Sequence, residues 1–340
     1  MMTEEEEKKK FLRNMGRKLT TKAGMRIAFL TTNSTVFNGR MKPLADALAA
    51  RGHEIAVYAF LKDDACLVKG HHCVWTDWHH FEILPIIHFN PDLIIYWNGR
   101  FPGMMAVTSW LKDRYSCAAM ELGWYPQKSF GCLLSDIPQL SGLGLTSYKK
   151  GVASQEHHQK ALAETRSRYH THTQPRVELP DNFVFVPLQL EQDTQILSGS
   201  PRFKTMESLL GYVRYKFPSN PIVVTNHPKD KDRALPNFVI NMTHQSETLP
   251  LALKSTVVVG INSTVLSETM LFNKHTISLG LSVAGDTLSE ERLEVDPDEY
   301  GYRALVLIYN QWDYTNPPEW IIQKVEEKDF RPRLPCQVTQ

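Results

Sequence analysis

Four short segments carry side chains suited to acid–base or anion-binding chemistry. Asn226-His227-Pro228-Lys229 follows an apolar run, Ile222-Val223-Val224. A histidine and a lysine at the end of such a run can hold or protonate a departing phosphate, with Pro228 fixing the local backbone. A second apolar run passes through Pro187, Leu188 and Gln189 into a polar cluster, Glu191-Gln192-Asp193. Asp193 is the candidate base or nucleophile there, and Glu191 is expected to be solvated. The third run, Val257-Val258-Val259, ends at Gly260 and opens onto Asn262-Ser263-Thr264. Hydroxyls and backbone N–H groups at a helix N-terminus bind anions, although Ser and Thr also cap helices with no ligand present. Glu268, one turn further on, could accept the hydroxyls of a ribose. In the fourth segment, Glu121-Leu122-Gly123-Trp124-Tyr125-Pro126-Gln127, a carboxylate beside aromatic faces suits a sugar site, or is simply a strand-end turn.

Further candidates carry less. The segment 31–40, with Asn33 and Arg40, is small and polar and could line an acceptor pocket, but it lacks the Gly-x-Gly-x-x-Gly pattern of a dinucleotide loop. Cys66, His71, His72, Cys73, Asp77, His79 and His80 lie close together in sequence, but their spacing fits no zinc pattern, and no metal is expected.

These segments need scaffolding that puts them on one side of the molecule. From residue 25 onward, apolar runs read as buried strands at 26–31, 55–60, 92–97 and 117–121, separated by a loop at 32–40 and helical patterns. A polar stretch, 154–180, reads as helix plus linker. The rhythm then restarts with strands at 183–188, 221–225, 238–241, 256–260 and 276–279 and helices at 206–217, 249–254 and 263–272. A last helix is expected within 316–328. Alternating strand and helix implies parallel α/β sheets. The expected organisation is a tail at 1–24, a Rossmann-like domain at 25–178 on the acceptor side, a second at 179–315 for a nucleotide sugar, and a C-terminal helix and tail at 316–340. Two such domains in tandem would face a central cleft, with ligands beyond the carboxyl ends of the strands.

Composition narrows the classes. A chain of 340 residues, 42% hydrophobic and 22% charged with a net charge of +1, suits a globular protein of about two domains with no general attraction to nucleic acid. The five cysteines (Cys66, Cys73, Cys117, Cys132, Cys336) are scattered, which fits reduced thiols in the cytoplasm. No apolar run reaches membrane-spanning length, and no signal-peptide pattern begins the chain. Residues 1–24 form an amphipathic, basic pattern that is either a solvated extension or a peripheral contact with the inner face of the membrane.

Taken together, Pro187-Leu188-Gln189 through Asp193-Thr194-Gln195-Ile196, Asn226-His227-Pro228-Lys229, and Asn262-Ser263-Thr264-Val265 with Glu268 resemble the capsular polysaccharide biosynthesis family, which includes bacterial retaining β-Kdo transferases. The Glu121–Gln127 segment resembles a stretch those enzymes carry. The resemblance implies a GT-B fold and a glycosyltransferase that takes a sugar, Kdo from CMP-Kdo, to a glycan or glycolipid acceptor without a metal. It implies that Asp193 matches the catalytic carboxylate and that His227 engages the CMP phosphate. Pro228, Lys229, Asn262, Ser263 and Thr264 would belong to the nucleotide site, with Ser263 and Thr264 on the phosphate and Glu268 on the ribose. Glu121 stands as a candidate acid–base partner, and Gln189, Asn33, Arg40 and Trp124 as candidate sugar or acceptor contacts. The segment 128–144 departs from the family's pattern, which bears on the acceptor. Alternatives are a sugar-nucleotide epimerase, a GT-B enzyme using a UDP- or GDP-sugar, and a binding protein without turnover.

Overall fold

The computed structural model describes residues 24–59, 72–75, 83–98, 102–127, 129–135, 148–169, 178–243, 247–282 and 296–338. The basic tail up to residue 23, most of the Cys/His cluster and His170 and His172 lie outside this set. Backbone contacts group the chain into two compact units that divide after Ile95.

The first unit contains β1 (Arg26–Thr31), α1 (Ser34–Val36), a π-helical turn (Phe37–Met41), α2 (Lys42–Ala50), β2 (Glu54–Ala59), β3 (His72–Trp75), α3 (Leu84–Phe89) and the start of β4 (Leu93–Trp97). Its strand order is β4-β1-β2-β3, with β1 parallel to β2 and β2 to β3. Strand β1 is buried from Ile27 to Thr31, as expected of a parallel strand covered on both faces. The expected loop at 32–40 is largely helical instead. Asn33 stands in extended backbone and its Oδ1 accepts the Val36 N–H at 2.9 Å, so the helix begins at once. Gly52, at φ 86°, ends α2 in the left-handed region, as the sequence suggests.

The second unit runs through α4 (Pro102–Lys112), β5 (Cys117–Leu122), β6 (Phe130–Leu134), α5 (Glu156–Arg166), β7 (Val184–Pro187), α6 (Thr194–Gly199), α7 (Met206–Lys216), β8 (Ile222–Thr225), β9 (Val239–Asn241), α8 (Thr248–Lys254), β10 (Val257–Gly260), α9 (Thr264–Leu271), β11 (Thr276–Ser278), α10 (Pro297–Tyr309), β12 (Gln311–Asp313) and α11 (Glu319–Glu327). One sheet, in the order β11-β10-β7-β8-β9, is parallel throughout its pairings. Beside it, β5, β6 and β12 pair antiparallel, which corrects the expectation of parallel pairing alone. The turn from Gly123 to Ser129 is too short for a helical crossover, so β6 must return antiparallel to β5.

The five-stranded sheet matters most for function. Val184, Val186, Ile222, Val224, Val257 and Val259 on its strands pack with Leu209, Leu210 and Val213 of α7. Each such side chain contributes about 1.5–3 kcal/mol when removed from water. This core fixes the carboxyl ends of β7, β8 and β10, and the loops that leave them.

Candidate active site

A cavity of about 450 Å³ opens in the second unit, with Glu121, Asp193, His227, Ser263 and Thr264 on its wall. Side-chain amides from Asn98, Gln127, Gln189, Gln192, Gln195 and Asn262 add to the polar wall, and among the described residues no lysine or arginine lines it. Among the described residues, an anion in this cavity would meet backbone N–H groups, hydroxyls and His227.

Asp193 is the N-cap of α6, in extended backbone (φ −64°, ψ 138°), and its Oδ1 accepts the Gln195 N–H at 2.9 Å. The cap aims a carboxylate into the cavity from a short helix whose start is fixed. Glu121, at the end of β5, is 7% exposed. One of its oxygens accepts from Asn98 Nδ2 at 2.6 Å and the other from the Leu122 N–H at 2.9 Å. Asn98 adopts φ 57°, a left-handed conformation that Asn tolerates better than most residues.

His227 lies on the turn after β8. Its Nδ1 accepts the Lys229 N–H at 3.1 Å, and the Asp230 N–H donates to the His227 carbonyl at 2.8 Å. In the neutral ring that bond leaves the proton on Nε2, which becomes a donor. Burial lowers the imidazole's pKa below its ordinary value; Asp193 and Asp230 oppose that shift, and Lys229 and Arg233 reinforce it. The neutral ring is thus favoured near neutrality.

Ser263 caps α9, its hydroxyl accepting the Val265 N–H at 3.3 Å, and Thr264 begins the helix. Immediately before them, Asn262 is tied twice to Gln189: Gln189 Nε2 donates to Asn262 Oδ1 at 2.9 Å, and the Asn262 N–H donates to Gln189 Oε1 at 3.2 Å. Asn262 Nδ2 also donates to the Gln195 carbonyl at 2.8 Å. The loops after β7 and β10 are therefore locked together. Gly199 is required beside this lock, since a Cβ there would sit 2.8 Å from Asn262 Nδ2.

Of the sequence candidates, Asp193, Glu121, His227, Gln189, Asn262, Ser263 and Thr264 share the cavity wall. Pro228 and Lys229 are exposed beside it and are not part of the lining. Asn33 and Arg40 stand in the first unit, on α1's N-cap and in the π-helical turn. Trp124 corrects an expectation: at 1% exposure its ring is core and has no face to offer a sugar. The Trp124 and Tyr125 N–H groups both donate to Gln311 Oε1 (2.8 and 3.1 Å), which draws the segment inward. Glu268 is off the lining and hydrogen-bonded to Tyr169; burial raises its pKa from 4.5 to about 7. Glu191 is not merely solvated. Its Oε1 accepts from the Met206 N–H at 2.8 Å and Arg233 Nη1 at 2.6 Å.

Sequence reasoning passed over Asn98, Gln127, Gln192 and Arg233. Asp230-Lys231-Asp232 has the spacing of a carboxylate pair, but in the structure Asp230 is engaged by Arg233. Among the described residues, no helix is long and apolar enough to cross a membrane.

Comparison with known proteins agrees with the motif reading. Residues 144–283 match the model of the capsule polysaccharide biosynthesis protein family. Protein FixF of Sinorhizobium fredii is 33% identical over 111 residues, a stretch that spans 31% of this chain and 28% of FixF. Two solved structures from Thermosulfurimonas dismutans share the fold. The KpsC β-Kdo 2,7 transferase aligns with a TM-score of 0.52 at 17% identity, covering 84% of this chain and 92% of the other. The KpsC β-Kdo 2,4 transferase aligns at 0.55 and 12%, covering 82% and 90%. The chain therefore has a GT-B-like, Rossmann-based α/β fold and resembles the capsule polysaccharide biosynthesis family through the segment that carries Asp193, His227 and Ser263.

Proposed function

We propose that the protein is a glycosyltransferase of surface-polysaccharide assembly that transfers a sugar, Kdo from CMP-Kdo, to a glycan or glycolipid acceptor. The observation that carries this reading is the convergence of Asp193, Glu121, His227 and the capped start of α9 on one cavity. The family match over residues 144–283 supports it.

In this reading the donor phosphate sits at the N-terminus of α9, on the Ser263 and Thr264 hydroxyls and backbone N–H groups. His227, neutral and carrying its proton on Nε2, donates a hydrogen bond to the same phosphate. Asp193 attacks the anomeric carbon as CMP departs, giving a sugar ester on its carboxylate. An acceptor hydroxyl then displaces Asp193 and the sugar regains its original configuration, because two inversions cancel. Glu121, held by Asn98 and the Leu122 N–H, takes the acceptor's proton. The amides around the cavity meet sugar hydroxyls. Metal is not needed for donor binding, and residues 1–24 contribute a peripheral membrane contact near the acceptor.

The test is thermal denaturation with CMP, UMP, UDP, GDP and ADP, each with and without EDTA, followed by CMP release from CMP-Kdo across a panel of glycan and glycolipid acceptors. A ligand that binds only the folded state raises the melting temperature by mass action. CMP alone should stabilise, with EDTA making no difference. Stabilisation by UDP alone would remove Kdo as the donor sugar.

A further inference from the structure

Arg233 lies outside the cavity lining, yet it touches both loops that bring the candidate groups to it. Its Nε and Nη2 approach Asp230 Oδ2 at 2.8 and 2.6 Å, on the turn that begins at His227. Its Nη1 donates to Glu191 Oε1 at 2.6 Å and its Nη2 to the Gln189 carbonyl at 3.2 Å, on the loop that leads to Asp193. The side chain is only 17% exposed, so these contacts are partly shielded from water. Glu191 continues the chain of contacts by accepting the Met206 N–H at the start of α7. On the other side, Asn226 Nδ2 donates to the Lys231 carbonyl at 2.8 Å and the Lys229 N–H donates to His227 Nδ1, so the turn moves as one piece.

We propose that Arg233 is a positioning residue, whose guanidinium bridges the turn carrying His227 to the loop carrying Asp193 and fixes those two groups relative to each other without touching the ligand. The planar fork suits the bridge because its donors sit on separate nitrogens and meet three acceptors set apart from one another, whereas an ammonium presents its three donors from a single nitrogen. The phosphate-binding start of α9 is not among Arg233's partners. Loss of the bridge therefore misaligns Asp193 against the donor and loosens only the His227 hydrogen bond to the phosphate, so the rate falls by more than CMP affinity does. The rate effect rests on the transferase reading above; the bridge between the loops does not.

The bridge has a second signature. The charged groups acting on His227 are Asp193, Lys229, Asp230 and Arg233, and Arg233 is one of the two cations that depress its basicity. Removing that cation moves the imidazole titration upward, whereas Arg233→Lys leaves a cation in place.

The experiment compares Arg233→Gln, Arg233→Lys and Glu191→Gln with the wild type in three measurements. These are CMP affinity by calorimetry, the rate of CMP release from CMP-Kdo at saturating donor, and the His227 titration by NMR on the ligand-free protein. Arg233→Gln should lose about a hundredfold in rate, the scale of a misplacement of about 1 Å, with a much smaller loss of CMP affinity and the His227 titration shifted upward. Arg233→Lys should keep the wild-type titration yet remain at least about tenfold slow, because charge without the fork does not restore the bridge. Glu191→Gln should slow the reaction by more than it weakens CMP affinity. A wild-type rate in either Arg233 variant overturns the proposal, as does a loss of CMP affinity as large as the loss in rate. Should Arg233→Gln not fold, Arg233→Lys and Glu191→Gln decide by the same criteria. If the wild type itself releases no CMP from CMP-Kdo, the transferase reading fails while the bridge is still judged by NMR. Amide chemical-shift changes on both loops, at 189–193 and at 227–230, in Arg233→Lys sustain it, and changes confined to the residues beside position 233 overturn it.

Discussion

Gln189 and Asn262, 73 positions apart in the chain, exchange a pair of hydrogen bonds that join the loop after β7 to the loop after β10. Both are nearly buried, at 9% and 6% exposure, so each amide needs its partner. The pair sets the spacing between Asp193 on one loop and Ser263 on the other, and Asn262 Nδ2 extends it to the Gln195 carbonyl on α6.

Asn262→Ala should therefore damage both stability and nucleotide binding. It leaves Gln189 Nε2 without its acceptor and the Gln195 carbonyl without its donor, a loss of about 1–3 kcal/mol, while the backbone bond to Gln189 Oε1 remains. The urea midpoint should fall with the slope unchanged, and CMP affinity should weaken in calorimetry because Ser263 loses its brace. Wild-type CMP affinity in a destabilised Asn262→Ala protein would separate the lock from the phosphate site.

Asp193 caps α6, and the proposed reaction gives the same carboxylate a second role as nucleophile; the two can be separated. As the α6 N-cap its loss costs about 1 kcal/mol, and serine caps nearly as well. Asp193→Ser should keep the melting temperature close to wild type yet reduce CMP release from CMP-Kdo by about three orders of magnitude or more. Asp193→Ala should lose the same activity and also melt lower. Should the serine variant retain activity, the carboxylate is a cap alone.

How much of this could be read in the sequence depends on how local the determining contacts are. Val223-Val224 and Val257-Val258-Val259 read as buried strands because apolar runs between turn signals have few other uses, and the strands are where expected. The capped start of α9 was legible from its Ser-Thr pair after a strand, whereas α6, capped by Asp193, was not read as a helix. Helix α10 escaped notice although Asp296-Pro297-Asp298-Glu299 is a legible start: Asp296 caps it, with Pro297 at the first position and acidic residues in the first turn. The Gln189–Asn262 lock and the Arg233 bridge were beyond reach, since their partners lie tens of residues away and no local pattern marks them. Trp124 misled for a related reason. An aromatic beside a glycine looks like a binding-site residue until Gln311, 187 positions on, is seen to draw its backbone inward.

His227 offers a pH test whose sign follows from its surroundings. Burial lowers its folded-state pKa below the ordinary value of 6.5, so the native state binds fewer protons than the unfolded chain as pH falls through that region. This contribution to stability is present above pH 6.5 and is lost as pH falls through the folded-state pKa. The NMR titration midpoint of His227 should lie below 6.5. His227→Gln, which keeps a donor in place of Nε2–H, should retain CMP affinity while flattening this part of the stability profile; His227→Ala should weaken CMP binding. Equal CMP affinity in the Gln and Ala variants would dissociate His227 from the nucleotide.

Glu268 carries the opposite pH dependence. Its carboxyl sits off the cavity wall against Tyr169, and burial lifts its pKa from 4.5 to about 7. A carboxyl with a raised pKa favours folding most below pH 4.5, and that contribution is lost as pH rises through about 7. Above pH 7 the ionised group is held where water cannot fully solvate it. Glu268→Gln removes the charge and keeps an amide able to partner Tyr169. It should stabilise the protein at pH 8 by on the order of 2 kcal/mol, allowing for partial solvent access, and by little at pH 5. Melting temperatures of the two proteins across pH 5–8 measure this directly. The same variant separates two assignments for this side chain. If Glu268 reaches the ribose in the bound state, CMP affinity drops although the folded protein is more stable. If it stays against Tyr169, affinity is unchanged and the stability gain is the whole effect.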